Sequence, residues 1–479
     1  MKHDFAVIGA GVSGMTCALI LARYGYRVAL VEKAGRTAPL LRGFSRGGVH
    51  FDTGFHYTGG LNEGGPLDIL FRFLGLSDHV TSFPFDEEGF DVFRCVREGF
   101  EFRFPAGYES IRERLIDAFP EERPAVEAYL RAVRADYDSA PYLNPGAPSD
   151  AGGAFRKIFG PTLSETLDSL TGNELLKCVL SMHCLLYGVS PEEVPFYQHA
   201  CIAGGYYLSA RGIRGGGRSL ASGFDARLEK LGVDVRCGNG VAGISVEPGG
   251  GLRGIRLEDG TELLCGGVVS TVHPRSMLEM LPAGAFRQAD KRRIGELEDT
   301  VPAYMLFSVS DLPVPSLEGR NLFVFPDIDR IKDLGNGPLS HSPLYVTAAY
   351  ETAGGAPRGF IGIIPSKEES PPFKREIVAR MEGIVRMYCP ELGGALGHTE
   401  GSTPSTLRHF GNSPSGGLYG VKHRVGQRNP GPMTRLKGLY LAGQAVTAPG
   451  VLGAALSGFV ACGCILGHDR LMKELRGCR

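Results

Sequence analysis

Residues 4–32 read DFAVIGAGVSGMTCALILARYGYRVALVE, and this stretch decides the fold of the first part of the chain. A short apolar strand, residues 5–8, leads into Gly9, Gly11 and Gly14, and an apolar helix and a second apolar strand follow. The order predicts a βαβ unit. Its first glycine allows a tight turn, its second a close backbone approach, and its third close packing of the helix on the sheet.

An acidic residue completes the pattern. Glu32 ends the second strand, roughly 20 residues after the glycines. At this spacing in dinucleotide-binding units, a carboxylate accepts hydrogen bonds from ribose hydroxyls. The helix N-terminus offers free N–H groups and a positive dipole end to a pyrophosphate. The alternative is an ordinary βαβ unit with a glycine-rich turn, but strand, helix, strand and acid in this order favour a dinucleotide site. Its predicted residues are Gly9, Gly11, Val12, Ser13, Gly14, Glu32 and Lys33.

Composition narrows the class of protein. A chain of 479 residues has room for two large domains, and a net charge of −1 argues against a nucleic-acid surface. The eleven cysteines lack metal-ligand spacing, so we expect buried reduced thiols and no metal site. Only three residues precede the stretch from 4 to 32, so we expect no cleaved signal peptide and a cytoplasmic protein.

The stretch from 438 to 467, GLYLAGQAVTAPGVLGAALSGFVACGCILG, is uncharged and long enough to cross a bilayer. Gln444, Pro449 and several glycines interrupt it near its middle. We therefore predict a buried strand at 439–442, a turn and a buried helix at 451–466 instead of a transmembrane helix.

Three separated segments are predicted to form one nucleotide-binding domain, namely residues 1–75, 206–274 and 420–479. The second segment holds the amphipathic helix SLASGFDARLEKLGV, which is followed by alternating strands. The remaining residues, 76–205 and 275–419, have helical periodicity first and strand-like runs later. They predict an inserted α+β substrate-binding domain with a helical cover.

Four stretches resemble the FAD-dependent amine-oxidase-like superfamily. They are the N-terminal fingerprint, FDTGFHYTGG (51–60), the block from 233 to 274 and the stretch from 438 to 467. Within the superfamily they are most similar to the carotenoid and retinoid branch of phytoene desaturases, carotenoid isomerases and all-trans-retinol 13,14-reductases. The resemblance implies an α/β fold with a Rossmann-like FAD-binding domain of the glutathione-reductase type, into which the substrate domain is inserted.

The resemblance also implies which residues contact FAD near the C-terminus. The strand delivers Gly443 and Gln444 to the ribityl-pyrophosphate, and the next helix points its N-terminus at the flavin pyrimidine edge. A helix N-terminus stabilises the negative charge that reduced flavin holds near N1 and O2. A helix that is only packed in the core is the alternative. The residues implied here are Gly443, Gln444, Val451, Leu452, Gly453 and Ala454, with Val241 from the middle block.

Two departures from the family pattern stand out. Many relatives have a Gly-Gly-Arg or Gly-Gly-Cys element soon after the first acidic residue, whereas this chain has AGRTAPLLRGF at 34–44. We expect Leu41 and Arg42 to take its place beside the pyrophosphate. Gln444 stands where many relatives have Asp. Gln both donates and accepts hydrogen bonds, so cofactor binding stays compatible with it.

FDTGFHYTGG contains the candidate catalytic residues, His56 and Tyr57. In the resembled family this strand and turn border the isoalloxazine and the substrate tunnel. His56 either donates a proton to a polarised alkene or packs in the core, and Tyr57 suits a tunnel wall better than an acid. The candidate substrate contacts lie at segment junctions: Tyr206, Tyr207, His409 and Tyr419.

The second glycine-rich segment, RGIRGGGRSL (211–220), lacks a preceding strand and a downstream acid, so we predict a single dinucleotide site. Electrons then come from or go to an external partner, which is NAD(P)H, a quinone or oxygen. The sequence has no nucleophile motif and no metal pattern, which fits hydride chemistry carried by the cofactor.

We therefore predict an FAD-dependent oxidoreductase that desaturates, saturates or isomerises a long apolar conjugated or isoprenoid substrate. The apolar run at 175–189 either lines a substrate tunnel, reaches a membrane surface or packs in the core. Two other functions stay open on the same fold. One is an amine-oxidase-like or protoporphyrinogen-oxidase-like enzyme, and the other is a prenyl-lipid carrier of the GDI type without redox chemistry.

Overall fold

Residues 4–32 form the predicted βαβ unit in a computed structural model of the chain. The structure describes residues 2–146, 159–247, 250–351, 355–371 and 373–479. The first strand is His3–Ile8, the helix Val12–Arg23 and the second strand Val28–Glu32. The strands pair in parallel, with Ile8 opposite Val31. The helix buries every residue from Ser13 to Leu21, so it is covered on both sides.

The bounds of the regular elements are as follows. The strands are β1 His3–Ile8, β2 Val28–Glu32, β3 Phe44–Arg46, β4 Val49–Phe51, β5 Thr58–Gly59, β6 Ser82–Pro84, β7 Asp91–Cys95, β8 Phe100–Phe104, β9 Ala210–Ile213, β10 Asp234–Cys237, β11 Val241–Val246, β12 Leu252–Leu257, β13 Glu262–Ser270, β14 Ala303–Val309, β15 Asn321–Phe325, β16 Leu344–Glu351, β17 Pro357–Pro365, β18 His398–Ser402 and β19 Leu439–Leu441. The helices are α1 Val12–Arg23, α2 Pro66–Leu74, α3 Tyr108–Ala118, α4 Arg123–Ser139, α5 Leu163–Asp168, α6 Glu174–Ser181, α7 Phe196–Leu208, α8 Gly216–Lys230, α9 Pro274–Glu279, α10 Gln288–Gly295, α11 Lys374–Tyr388, α12 Pro404–Gly411, α13 Gly450–Leu466 and α14 His468–Arg476.

A seven-stranded sheet gathers the three distant segments of the predicted nucleotide domain. Its order is β10-β2-β1-β13-β12-β11, and β19 pairs with β13. The pairs β10–β2, β2–β1, β1–β13 and β13–β19 are parallel, whereas β11, β12 and β13 form an antiparallel meander. β13 is long enough to take part in both arrangements, because its first residues pair with β12 and its last residues with β1 and β19.

The parallel strands end at the same edge of this sheet. Ile8 lies opposite both Val31 and Ser270, and Ser270 lies opposite Leu441. Ligands of open α/β sheets bind outside the carboxyl ends of the strands. The register therefore collects the residues that follow β1, β2, β13 and β19, which come from positions far apart in the sequence, at one binding edge.

A nine-stranded, mostly antiparallel sheet lies on the substrate side, in the order β18-β14-β17-β16-β15-β7-β8. Two short strands from within residues 1–75 join it, because β4 pairs with β16 and with β3. In the same way, β9 from within residues 206–274 pairs with β5 and β6 in a small three-stranded sheet. The segments assigned to the nucleotide domain from sequence thus also build part of the substrate side.

Helices that lie mostly within residues 76–205 cover the second sheet, as the helical periodicity of that stretch predicts. α3, α4 and α7 pack with β7, β8 and β15 around an aromatic core that includes Phe93, Phe104, Tyr129, Tyr207 and Phe323. A Rossmann-like sheet with an α+β part and a helical cover confirms the predicted fold class.

The C-terminal prediction is also confirmed, with a strand at Leu439–Leu441 and a helix at Gly450–Leu466. This helix packs on α1 so closely that a Cβ at Gly458 would lie 2.7 Å from Cγ2 of Thr16. Within the described residues, no helix combines the length and the apolar character that a membrane span requires.

Candidate active site

One large cavity of about 1860 Å³ lies between the binding edge of the parallel sheet and the nine-stranded sheet. Pockets for small ligands usually enclose about 300–1,000 Å³. The volume therefore leaves room for a nucleotide cofactor and a second molecule. Ile8, Glu32 and Thr271 line the nucleotide end, whereas Met305, Phe307 and Ile363 line the other end.

The fingerprint glycines take the separate tasks that the sequence predicts. Gly9 turns out of β1 with a φ of +94°, and a Cβ there would lie 2.6 Å from Oγ1 of Thr271. A Cβ at Gly14 would collide with the carbonyl oxygen of Gly9, so this glycine allows the helix to pack on the strand. Gly14 itself does not line the cavity.

Gly11 differs from the other two because no protein atom lies within 4 Å of a Cβ built on it. Gly11 lines the cavity, so such a Cβ would project into space that the protein leaves open. The fold does not need a glycine here, whereas a ligand that touches the backbone does. The cradle thus fits a pyrophosphate.

Two helices point their N-termini at this space. α1 begins after Gly11 and α13 after Pro449, and neither has a side-chain cap or an acidic residue in its first turn. The first N–H groups of a helix have no intrahelical partner, and they carry the positive end of the dipole. Both helix ends are therefore prepared for anionic groups. The predicted cofactor contacts Val12, Ser13, Val451, Leu452, Gly453 and Ala454 all line the cavity.

Glu32 is held in place by the backbone. Its two carboxylate oxygens accept hydrogen bonds from Ala10 N at 2.8 Å and Ala34 N at 2.9 Å. Each oxygen keeps a lone pair for a further donor. The neighbouring Lys33 lines the cavity and pairs with Glu258 at 3.4 Å. Glu32 is thus oriented in advance to receive ribose hydroxyls.

The turn after β19 borders the cavity through Gly443 and Gln444. Gly443 donates its N–H to Oγ of Ser457 at 2.8 Å, which fixes the turn against α13. Gln444 is exposed and lines the cavity, and its carbonyl oxygen lies 2.6 Å from Nε2 of His423. Burial lowers the pKa of His423, while the Gln444 carbonyl opposes that shift. The Gln444 side chain is therefore free to contact a ligand.

The segment from 34 to 44 departs from the prediction at one residue. Leu41 lines the cavity, but Arg42 does not. The Arg42 guanidinium instead contacts Asp225 and donates to the carbonyl oxygen of Thr37 at 3.0 Å. Arg36 lines the cavity, is exposed, and donates to the carbonyl oxygen of Gly43 at 3.2 Å. The cation available to a phosphate in this segment is Arg36.

Ala38 has an unusual backbone in the same segment. Its φ is +46°, and its N–H donates to the carbonyl oxygen of Ala10 at 2.8 Å. The left-handed region costs a residue with a Cβ about 1–2 kcal/mol. The backbone thus keeps a glycine-type conformation where the family glycines are missing from the sequence.

His56 and Tyr57 line the cavity next to each other but differ in their surroundings. The His56 ring lies 5.8 Å from the Tyr345 ring, and burial lowers the pKa of His56 to about 4, while Asp52 opposes that shift. The Tyr57 hydroxyl donates to Oδ2 of Asp91 at 2.7 Å. Burial, with Asp91 as the second cause, raises the pKa of Tyr57.

The four predicted substrate contacts divide into two pairs. Tyr206 and Tyr419 line the cavity, whereas Tyr207 and His409 do not. Tyr207 is fully buried with its hydroxyl 3.0 Å from that of Tyr129, because consecutive helical residues point in different directions. His409 is exposed, and its ring lies 4.7 Å from that of Phe410.

The expectation that no strand precedes the second glycine-rich segment is wrong, because β9 covers Ala210–Ile213. The segment packs against the first site. Gly217 donates its N–H to Oδ1 of Asp52 at 2.9 Å, and a Cβ at Gly217 would collide with the carbonyl oxygen of Leu41. None of residues 211–220 lines the large cavity. Asp52 of FDTGFHYTGG therefore serves to hold the N-terminus of α8.

Sequence reasoning missed several residues at the site. Thr271 follows β13, lines the cavity and donates its hydroxyl to the carbonyl oxygen of Ile8 at 2.8 Å. The sequence feature that could have identified Thr271 is a hydroxyl side chain directly after a buried strand in the block at 233–274. Tyr345 also lines the cavity, but a tyrosine within a strand pattern gives no sign of that. The apolar run at 175–189 is mostly buried, and Leu185 and Leu186 line the cavity.

Comparisons with known proteins agree with this geometry. Residues 12–326 match the family of flavin containing amine oxidoreductases. The human all-trans-retinol 13,14-reductase is 25% identical, over 99% of this chain and 87% of its own length. A hydroxyneurosporene desaturase from Cereibacter sphaeroides is 26% identical, over 96% of this chain and 97% of its own.

Among solved structures, an oxidoreductase from Methanosarcina mazei has the same fold, with a TM-score of 0.67 at 17% identity. It covers 95% of this chain, and the match extends over 98% of the Methanosarcina protein. The family match spans more than half of the sequence, and the relatives extend over nearly all of it. The chain is thus similar to a retinol reductase and a hydroxyneurosporene desaturase, and it belongs to the flavin containing amine oxidoreductases as a flavin-dependent oxidoreductase.

Proposed function

We propose that this enzyme binds FAD and forms, reduces or isomerises C=C bonds in a long apolar conjugated or isoprenoid substrate by hydride transfer at flavin N5. The observation that carries the proposal is a single cavity, which runs from two uncapped helix N-termini to a chamber lined by aliphatic and aromatic side chains. The activities named for the retinol reductase and the hydroxyneurosporene desaturase support the substrate class.

The nucleotide end supports FAD as the flavin. In the proposal, Glu32 accepts the adenosine ribose hydroxyls, and the N-terminus of α1 with Gly11 receives the pyrophosphate. Arg36 approaches the phosphates, and the N-terminus of α13 faces the pyrimidine edge. Residues 1–75, 206–274 and 420–479 then form the cofactor domain, and residues 76–205 and 275–419 the substrate domain. FAD supplies the hydride acceptor or donor when it is bound.

The chamber beyond the nucleotide end supports an apolar substrate. Arg46 and Glu400 line its exposed end and pair with each other at 2.8 Å, which balances their charges. A dry apolar wall excludes water from the reacting carbon atoms. The aliphatic and aromatic side chains lining it include Leu185, Leu186, Ile202, Met305, Phe307, Leu334, Ile363, Leu407 and Leu418.

The proposal changes the role given to His56. A pKa of about 4 keeps the ring neutral near pH 7, where an imidazolium would be needed to donate a proton readily. We therefore propose that His56 packs beside the substrate and offers a neutral N–H. The Tyr57 hydroxyl is engaged with Asp91, so Tyr57 is a wall residue in this scheme.

The proposed substrate reaches the chamber from a membrane surface. Leu40 and Phe410 line the cavity, and their side chains are 40% and 62% exposed. They lie close together, since a Cβ at Gly411 would be 3.6 Å from Cδ1 of Leu40. Exposed apolar side chains at a cavity mouth suit peripheral contact with lipid. Electrons are exchanged with an external partner, NAD(P)H, a quinone or oxygen.

The visible spectrum of the purified protein tests the proposal first. We expect flavin absorbance after reconstitution with FAD, and acid-released cofactor that co-migrates with FAD. Anaerobic mixing then tests the substrate class. If the enzyme saturates double bonds, all-trans-retinol should reoxidise the photoreduced flavin. If the enzyme desaturates its substrate, hydroxyneurosporene should bleach the oxidised flavin.

Each rival function predicts a different result. Bleaching by putrescine and other primary amines, with no response to either polyene, would assign the enzyme to amine oxidation. Absence of bound flavin after careful reconstitution would instead support a carrier of prenyl lipids. The Gly11→Val variant, which should bind no flavin, controls for reactions of the polyenes that occur without the cofactor.

A further inference from the structure

A buried polar cluster centred on Asp91 lies behind the wall of the chamber, and the proposed function gives it no task. Oδ2 of Asp91 accepts hydrogen bonds from the Tyr57 hydroxyl at 2.7 Å and from Nε2 of His183 at 2.9 Å. Oδ1 accepts from Nδ2 of Asn321 at 2.8 Å. Asp91, His183 and Asn321 are completely buried.

The hydrogen-bond pattern assigns a negative charge to this cluster. Nδ1 of His183 is buried and has no hydrogen-bond partner. A buried N–H without a partner costs more than a lone pair without one, so Nδ1 carries no proton. The proton is then on Nε2, His183 is neutral, and all three neighbours donate to Asp91. Among the described residues, no lysine or arginine pairs with Asp91.

Three tyrosine rings separate this charge from the cavity. Tyr57, Tyr206 and Tyr345 all line the chamber. The Tyr57 and Tyr206 ring centres are 4.7 Å apart, and the Tyr345 hydroxyl donates to Oδ1 of Asn321 at 3.1 Å. The face of an aromatic ring also attracts positive charge. The carboxylate and the ring faces therefore both favour positive charge at this part of the wall.

We propose that Asp91 and the wall of Tyr57, Tyr206 and Tyr345 stabilise positive charge on the substrate carbon skeleton while hydride moves. This inference rests on the proposed function, because it concerns the same chamber and the same apolar substrate. Asp91 acts through Tyr57 and does not touch the substrate, so it is a positioning residue. The tyrosine rings are the groups that contact the reacting molecule.

Desaturation and saturation both develop positive charge on a substrate carbon, so the wall would assist the reaction in either direction. In desaturation a substrate C–H bond breaks, its hydrogen and both electrons pass to oxidised flavin, and the carbon left behind becomes electron-poor. A proton then leaves the adjacent carbon for the unprotonated ring nitrogen of His56, which lines the chamber, and its C–H electrons form the C=C bond. Saturation reverses these steps, with a proton added before hydride. A fixed negative charge that meets the developing positive charge lowers the barrier without reorganisation.

The test measures how tightly the enzyme binds a permanently charged mimic of the positively charged substrate skeleton, and it needs no turnover. The probes are geranyl-trimethylammonium and its neutral analogue, in which carbon replaces nitrogen. The quaternary nitrogen has no lone pair, so amine oxidation does not consume it. We expect the FAD-loaded enzyme to bind the ammonium about tenfold more tightly than the neutral probe. Perturbation of the flavin spectrum reports both affinities.

Two variants separate charge from hydrogen bonding. Asp91→Asn removes the charge at nearly constant shape and should abolish the preference for the ammonium, while the affinity for the neutral probe stays the same. His183→Gln keeps the charge and should keep the preference. Tyr187→Phe removes a buried hydroxyl from a cluster outside the cavity and is the control for general loss of polar packing.

Kinetics with the natural class of substrate give a second readout. Asp91→Asn should lower the rate of anaerobic flavin reduction at saturating polyene about tenfold or more, and leave the half-saturating concentration unchanged. A merely structural role would raise that concentration or reduce flavin content instead.

The outcomes distinguish this inference from the proposed function. If the wild-type enzyme binds both probes equally, the inference is wrong even though an apolar chamber is present. If it binds neither, the proposed function fails first. Bleaching of the flavin by the primary amine with the same geranyl tail would also overturn the inference, because the charge would then serve to bind an amine.

Discussion

The hydroxyl of Ser13 donates a hydrogen bond to the carbonyl oxygen of Ala454 at 2.7 Å. Ser13 lies in the first turn of α1 and Ala454 near the start of α13, so the bond joins the two helix ends that face the cavity. It connects the beginning and the end of the chain across the proposed cofactor site. The bond fixes the relative position of these two helix ends together with the close packing of Gly458 on Thr16.

Ser13→Ala should therefore weaken cofactor binding more than it weakens the fold. Loss of one buried hydrogen bond costs about 1 kcal/mol of stability. We expect flavin affinity to fall severalfold, as measured by flavin release on dilution. Ser222→Ala is the control, because that hydroxyl bonds within its own helix at an exposed position. Equal flavin affinity in wild type and Ser13→Ala would contradict the link.

Gly11→Val should give a folded protein without flavin. A Cβ at position 11 meets no protein atom within 4 Å, and a valine side chain there would fill the space proposed for the pyrophosphate. Circular dichroism should stay unchanged while bound flavin is lost. Gly14→Val is the contrasting variant, because its Cβ collides with the Gly9 backbone and should impair folding itself. Normal flavin content in Gly11→Val would refute the placement.

Ala38→Gly should stabilise the enzyme. Ala38 has a φ of +46°, which glycine adopts without the steric cost of a Cβ. We expect the free energy of unfolding to rise by about 0.5–1 kcal/mol, seen as a higher Tm. The matched control is Ala135→Gly at an exposed position in helix α4, which should lower stability by about 1 kcal/mol. A lower Tm in Ala38→Gly would show that the strain is absent.

The stability of the protein should depend on pH through His56. The pKa of His56 is about 4 in the folded state, below the usual value near 6.5, so the unfolded chain binds more protons between these values. Stability therefore falls as the pH drops from about 6.5 towards 4. Between pH 7 and pH 5, His56→Gln should lose about 2 kcal/mol less stability than wild type. Equal losses in thermal unfolding would mean that His56 is accessible to protons when folded.

Phe410→Asp should reduce binding to phosphatidylcholine vesicles. Phe410 lies at the cavity mouth with 62% of its side chain exposed, and a carboxylate there opposes insertion into lipid. Sedimentation with vesicles measures the bound fraction. Leu312→Asp is the control, since Leu312 is 71% exposed but does not line the cavity. Equal loss in both variants would argue against a specific mouth contact.

The sequence predicted those parts of the site that depend on local order. The turn at Gly9, the acid at Glu32 and the helix that begins at Gly450 follow from patterns of neighbouring residues, and the structure places each of them at the cavity. Arg42 could not be separated from Arg36 by such a pattern, because its partner Asp225 lies on a distant helix.

Contacts between distant segments were outside the reach of sequence reasoning. Asp91 and His183 are 92 positions apart, and they meet only because α6 and its following turn cover β7. Tyr206 and Tyr207 are neighbours of one type, and only the rotation of helix α7 decides which of them reaches the cavity. Polar clusters buried by tertiary packing leave no signature in composition or spacing.

The order of strands in the parallel sheet has a consequence for synthesis on the ribosome. β1 needs β13 beside it, and β13 pairs in turn with β19 at Leu439–Leu441. At about 5–20 residues per second, roughly 13–50 s separate the emergence of β1 from that of β13. During that time the fingerprint strand has an open edge that can pair with other chains, and the proposed flavin site is completed only when α13 has also been synthesised.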